Sequence, residues 1–148
     1  MDIKIKRIDN TLPLPEYVTS GSCGFDMYSR LEQTIAPNEI VLLPSNLIIQ
    51  TPPEHVLIIA PRSSLARKKS LVMPNSMGII DQDYSGEKDE ILIQLQNISQ
   101  QPVTVSKGER IAQGMFLRTD RADWQEVTIM RETSRGGLGS TGGYGATS

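Results

Sequence analysis

The stretch Ile91-Leu92-Ile93-Gln94-Leu95-Gln96 decides the fold class. Ile91, Ile93 and Leu95 alternate with Gln94 and Gln96, and a period of two places one set of side chains in a core and the other toward solvent. The same alternation recurs outward along the chain. Ile3 and Ile5 alternate with Lys4 and Lys6, and Val103/Val105 and Val127/Ile129 repeat it in shorter form. The apolar runs 40–43, 47–49 and 56–60 predict strands buried on both faces. Pro44, Pro52-Pro53, Pro61, Pro74 and Pro102 punctuate these segments and leave little room for long helices. One short helix is expected, with Ser63 or Ser64 as N-cap and Lys69 near its end. The chain therefore reads as all-β, a jelly-roll-like barrel or sandwich with one short helix and a flexible glycine-rich C-terminal tail. With no internal repeat and no linker, residues 1–148 form one domain, and 130–148 read as a mobile arm. Positions 136–148 hold six glycines and almost no core-forming side chains, so this tail is expected to be disordered unless something binds it.

A chain of 148 residues can bury about two-thirds of its unfolded surface in one core. Fifteen Lys and Arg against seventeen Asp and Glu give a net charge of -2, so no global field draws in nucleic acid or a membrane surface. No run of about 18 apolar residues and no leading basic-then-apolar stretch is visible, which predicts neither a membrane span nor a signal peptide. Cys23 stands alone and fits a reducing, cytoplasmic setting; it reads as a core residue. One Cys and one His make an all-protein zinc site implausible, so any metal is expected to be a hard ion held by oxygens. His55 reads as a surface residue, and Trp124, opening the last strand, as core or a subunit contact.

Three segments carry candidate chemistry. In Asp81-Gln82-Asp83-Tyr84-Ser85-Gly86, strand residues two apart would place both carboxylates on one face, where one could serve as general base for water. A simple hairpin turn made by Asp and Gly is the competing reading. In Arg62-Ser63-Ser64 a guanidinium can clamp two phosphate oxygens, and hydroxyls beside a helix start add donors near a favourable dipole. A solvated basic turn is the alternative, and Arg67-Lys68-Lys69 reads as one. The tail Arg135-Gly136-Gly137-Leu138-Gly139-Ser140-Thr141-Gly142 offers a further cation and a backbone able to surround phosphate.

Together, and in this order, these segments resemble the five motifs of the trimeric deoxyuridine triphosphatase (dUTPase) family. Cys23-Gly24-Phe25-Asp26-Met27-Tyr28-Ser29 is similar to the first, and Gly108-Glu109-Arg110-Ile111-Ala112-Gln113 to the fourth. The resemblance implies hydrolysis of dUTP to dUMP and pyrophosphate by water attack at the α-phosphate. That reaction would keep uracil out of DNA and supply dUMP for thymidylate synthesis. It assigns Asp81 as the base, Tyr84 as the ring packed where a 2′-hydroxyl would sit, and Gly78, Ile79 and Ile80 as backbone against the nucleoside. Asn75 would read the uracil edge, having both a donor and an acceptor. Arg62, Ser63, Ser64 and Gln113 would contact phosphates, and Asp26 would hold the water shell of Mg2+. Arg110 fits a phosphate contact or a structural ion pair. In the tail, Arg135, Gly139, Ser140 and Thr141 would close on the triphosphate. Leu138 takes the place of the usual aromatic, and the spacing from Arg135 to the glycines is two residues shorter than the common form. The family implies a homotrimer with shared active sites.

Two other functions are weighed. A dCTP deaminase shares the fold, but its catalytic glutamate would fall at Gln94, counting back from Asn97, and an amide cannot do that acid–base work. A nucleotide-switched binding or regulatory module would use tail closure to couple ligand to shape, yet has no need of Asp81.

Overall fold

The computed structural model of the chain describes residues 1–131, 133–134 and 136–137. They form antiparallel strands and one helix of five residues. In the largest sheet the order is β2 (Phe25–Tyr28), β11 (Arg110–Arg118), β6 (His55–Pro61), β8 (Gly78–Ile80). A second sheet runs β4 (Ile40–Pro44), β9 (Leu92–Asn97), β7 (Leu71–Val72). Two strand pairs complete the fold: β1 (Ile5–Arg7) with β5 (Leu47–Ile49), and β3 (Gln33–Ile35) with β10 (Val103–Val105). The helix α1 (Leu65–Lys69) follows β6, and Ser70 closes it in the left-handed conformation, φ 54°. No helix among the described residues is long and apolar enough to cross a membrane.

The expected alternation is realised in β9. Ile91, Ile93 and Leu95 are buried with Leu43, Met27, Leu57 and Ile59 in one core, while Gln94 and Gln96 face outward. Each fully buried aliphatic side chain there contributes about 1.5–3 kcal/mol. Run 47–49 is buried throughout. Run 40–43 departs from expectation: Val41 and Leu43 are buried, but Ile40 and Leu42 are exposed. Among the described residues β4 pairs only with β9, and none of them covers the sheet's outer face at those two residues. In β6 Leu57 and Ile59 are fully buried, whereas Val56, Ile58 and Ala60 are only half-buried on the opposite face.

Val127/Ile129 form no strand, and Trp124 is 93% exposed. Strand alternation supplies one apolar face, but a strand also needs a hydrogen-bonding neighbour, and this segment has none among the described residues. Cys23 is likewise exposed rather than core, because β2 begins only at Phe25 and the strand's alternation does not reach back to it.

One close approach fixes the β2–β11 register. Gly114 lies opposite Phe25, and a β-carbon there would come within 2.5 Å of the ring's Cζ. Phe25 is itself held, edge-on to Tyr17 and tilted against Phe116, with ring centroids 5.8 and 5.9 Å away.

Candidate active site

The β2–β11–β6 register brings three sequence-predicted residues together. Asp26 is level with Gln113, and Gln113 with Ala60 one residue before Pro61. Since Phe25 and Met27 point into the core, Asp26 points out, and Gln113 shares its face. β11 bulges against β2 between Arg110 and Ala112, and such an extra residue re-aims the side chains beside it. Arg110 Nη1 thereby donates to Asp26 Oδ2 at 3.1 Å, while Arg62, just past the end of β6, donates its Nε–H to Oδ1 at 2.8 Å. Arg110 thus forms an ion pair with Asp26. The Asp26 side chain is only 12% exposed, which strengthens both contacts relative to a surface pair. Gln113 Nε2 donates to the Pro61 carbonyl at 3.0 Å. Two guanidinium groups against one carboxylate leave this cluster one positive charge in excess, suited to an anion.

Ser63 and Ser64 form the turn into α1. Ser64 occupies the N-cap position but makes no side-chain capping bond, so its hydroxyl is not consumed by the helix. Five residues align too few peptides for a strong dipole. The expected help from the helix is therefore small, and Arg62 supplies the charge.

The second cluster lies along β8, the edge strand of the same sheet, whose outer backbone has no strand partner among the described residues. Gly78, Ile79 and Ile80 pair with Ile59, Ile58 and Leu57. Ile80 packs on the core, and Ile79 is 63% exposed. Asp81 follows in a turn closed by the Tyr84 amide donating to the Asp81 carbonyl at 3.3 Å. The shared strand face expected for Asp81 and Asp83 is thus replaced by a turn, because β8 ends at Ile80. Both carboxylates nonetheless line one groove of about 680 Å³, with His55, Val56, Ile58, Ile79, Gln82, Thr119 and Arg121. The Asp81 carboxylate has no ion pair or hydrogen bond among the described residues. Tyr84 is 39% exposed and donates its hydroxyl to the Glu90 carbonyl at 3.2 Å. Asn75 sits in the turn before β8, at the other end of that strand from Asp81, with its amide on the Met77 carbonyl at 3.0 Å.

The two clusters occupy one face of one sheet but opposite ends of it. Asp81 lies one residue beyond the Ile80–Leu57 pair, level with Val56, while Arg62 is six residues further along β6. At strand rise that is roughly 20 Å, far more than a phosphoester bond's surroundings can bridge. Between them the face carries Ile58, Ile79, Met115 and Leu117, a half-exposed apolar row. A single chain therefore does not unite its predicted base with its predicted phosphate ligands.

Reading the residues alone does not find His55, Thr119 and Arg121 on the groove. They reach it through strand pairing, since Arg118 lies opposite His55 and the Thr119 amide donates to the Glu54 carbonyl at 3.0 Å. Arg135, Leu138, Gly139, Ser140 and Thr141 lie outside the described residues.

The dUTPase family model matches residues 10–142. The chain belongs to the dUTPase family. Deoxyuridine 5'-triphosphate nucleotidohydrolase of Dictyoglomus turgidum is 40% identical over 146 residues, covering 95% of this chain and 97% of that protein. A solved dUTPase from Streptococcus mutans aligns with TM-score 0.75 and 31% identity over 81% of this chain and 98% of its own. The Staphylococcus bacteriophage 80alpha dUTPase with dUPNHPP gives TM-score 0.84 at 20% identity, covering 95% of this chain and 98% of that one; this likeness speaks for the fold. The all-β jelly-roll architecture expected above is thus the dUTPase architecture.

Proposed function

We propose that the chain hydrolyses dUTP to dUMP and pyrophosphate, as a homotrimer in which each active site is shared between copies. The observation that carries this reading is the distribution of chemistry on one sheet face of a dUTPase-family chain. An anion-binding cluster, Asp26–Arg62–Arg110–Gln113, stands at one end, and an unpaired carboxylate, Asp81, in a groove stands at the other. The apolar row between them would be covered if copies packed on this face, setting one copy's Arg62 near another's Asp81. A threefold arrangement is closed and satisfies that requirement.

The free backbone edge of β8 suits a uracil edge, and Asn75 keeps an amide oxygen free to join it. Tyr84 stands where a ribose 2′-hydroxyl would collide. Asp81 takes a proton from water, the water oxygen bonds to the α-phosphorus, and the bond to the bridging oxygen breaks, so that pyrophosphate leaves with the electron pair. Arg62 and Gln113 stabilise charge on the phosphate oxygens as it shifts. Arg135, Ser140 and Thr141 would complete that shell when the tail closes, with Leu138 excluding water above the base.

The donor set fits magnesium. No cluster of three or more His, Cys, Asp or Glu side chains occurs among the described residues, so a dedicated protein cage is not formed there. A hard ion carried on triphosphate oxygens needs only a water-shell contact, and Asp26 still has free lone pairs beside its two guanidinium partners. When bound, magnesium neutralises charge on those oxygens.

The test is to incubate the purified protein with each deoxynucleoside triphosphate and Mg2+ and identify the products. Pyrophosphate and dUMP from dUTP alone are expected. Ammonia from dCTP would replace this reading with the deaminase. Gln94, however, is an amide on β9, opposite Leu42 in the other sheet from Asp81.

A further inference from the structure

We propose that Arg30 and Glu90 are positioning residues for sugar selectivity, acting through Tyr84. This rests on the reading of Tyr84 as the ring that excludes a 2′-hydroxyl. The Tyr84 hydroxyl has one partner among the described residues, the backbone carbonyl of Glu90, at 3.2 Å. Its ring does not belong to the hydrophobic core and is over a third exposed. Packing alone does not hold it. What holds it is the segment it is tied to.

Glu90 is anchored from three sides. Arg30 grips its carboxylate in a two-pronged fork, Nε to Oε1 at 2.8 Å and Nη2 to Oε2 at 2.9 Å. The Asn46 amide donates to the same Oε1 at 2.8 Å, and Asn46 is buried in a turn with φ 73°. The next residue, Ile91, donates its amide to the Leu47 carbonyl and accepts from the Ser45 amide, at 2.9 and 3.0 Å. Arg30 is itself fixed, its amide on the Pro44 carbonyl at 2.8 Å. The fork, through its hydrogen bonds to Glu90, pushes the Arg30 guanidinium's pKa above its ordinary value. With side chains 25% and 13% exposed, the pair is shielded enough to be more than a loose surface contact. The intervening turn is closed on itself, the Gly86 amide on Asp89 Oδ2 at 2.6 Å, and Glu87 meets Lys6 of β1. The loop is therefore pinned at its Glu90 end to the β4–β5 turn and to Arg30 just after β2, and the tyrosine hydroxyl reads out that position.

A ring that rejects a single hydroxyl must hold its place within a fraction of an ångström, and a loosened tether costs selectivity before it costs turnover. The experiment measures kcat/KM for dUTP and for UTP in wild type, Tyr84→Ala, Tyr84→Phe, Arg30→Met and Glu90→Gln. Arg30→Met and Glu90→Gln are expected to lower the dUTP:UTP ratio about fivefold, the worth of one positioning hydrogen bond, with kcat for dUTP within about twofold of wild type. Adding Arg30→Met to Tyr84→Phe should change the ratio no further, because the tether is already gone, and Arg30→Lys should recover part of it. If Arg30→Met fails to fold, Glu90→Gln, which keeps volume and backbone, decides the matter alone. A ratio unchanged in the Arg30 and Glu90 variants while Tyr84→Ala collapses it overturns the proposal and leaves the function standing. A ratio unchanged in Tyr84→Ala removes both this proposal and the assigned role of Tyr84.

Discussion

Arg62 donates to Asp26 at 2.8 Å, and that bond links the residue expected to grip phosphate to the residue expected to face the metal's waters. The two roles are coupled through one carboxylate. Asp26 holds Arg62 in place before any substrate arrives, so the charge proposed to meet the triphosphate is pre-positioned rather than recruited.

Asp26→Asn should therefore damage more than metal dependence. Loss of the charged partner frees Arg62 and Arg110, and kcat/KM for dUTP should drop by roughly 10- to 100-fold, the worth of one or two charge-assisted bonds. Steady-state kinetics across a magnesium titration checks this. A defect fully rescued by saturating magnesium would mean that Asp26 serves the metal alone.

Asp81→Asn should lower kcat by about two to four orders of magnitude while leaving the affinity for a non-hydrolysable dUTP analogue nearly unchanged. Should Asp83→Asn abolish turnover and Asp81→Asn keep a third or more of it, the base is the other carboxylate of the groove.

The separation along β6 makes a sharper demand. Arg62→Ala and Asp81→Asn should each be inactive alone, but unfolding them together and refolding the mixture should restore activity. In random trimers about a quarter of the shared sites would unite an intact Arg62 with an intact Asp81. No recovery from a mixture that has demonstrably exchanged subunits would place both residues in one chain's site.

Removing all residues after Arg131 should leave the fold intact and abolish most activity, since the deleted stretch holds Arg135 and the Gly-Ser-Thr-Gly run. Leu138→Phe should tighten analogue binding by up to about tenfold, near the worth of one aromatic pair. Turnover and thermal melting of the truncated form, and calorimetric titration of wild type and Leu138→Phe, read this out; weaker binding by the phenylalanine form would mean that the shortened tail is built around leucine.

Acid should act through Asp9. Its carboxyl is held well below the ordinary 3.8, first by the Lys107 hydrogen bond and then by Thr11. Because the folded pKa is the lower one, the contribution is full above about pH 4 and is lost as pH falls toward the folded value. Lys107→Met should lower the urea midpoint slightly at about pH 7 and by less and less as pH falls toward about 2, so that its acid limb is the flatter one. An identical acid limb in the two proteins would exclude the pair from acid unfolding.

Much of this was legible in the sequence, and the gaps have physical reasons. β9 was readable because alternation reports one buried face directly, as with Ile91, Ile93 and Leu95. Ile40 and Leu42 misled because an apolar residue does not say what covers it; the described residues leave them exposed. The motif residues named the chemistry but not its distribution, since the roughly 20 Å between Arg62 and Asp81 follows from strand order and register. Register is a property of pairs. The bulge that aims Arg110 at Asp26, and the fork between Arg30 and Glu90, join residues 84 and 60 positions apart, beyond any local pattern.

The contact between Gly114 and the Phe25 ring bears on how mutants of this enzyme should be sorted. Alanine is ordinarily a mild replacement in a strand, but here its methyl would occupy space already filled by a ring that is wedged between two other aromatics. Position 114 adjoins Gln113, so such a variant would present as an inactive enzyme with a lesion beside the proposed phosphate-binding cluster. In a random library it would be scored as a catalytic loss, although what had failed is the pairing of two strands.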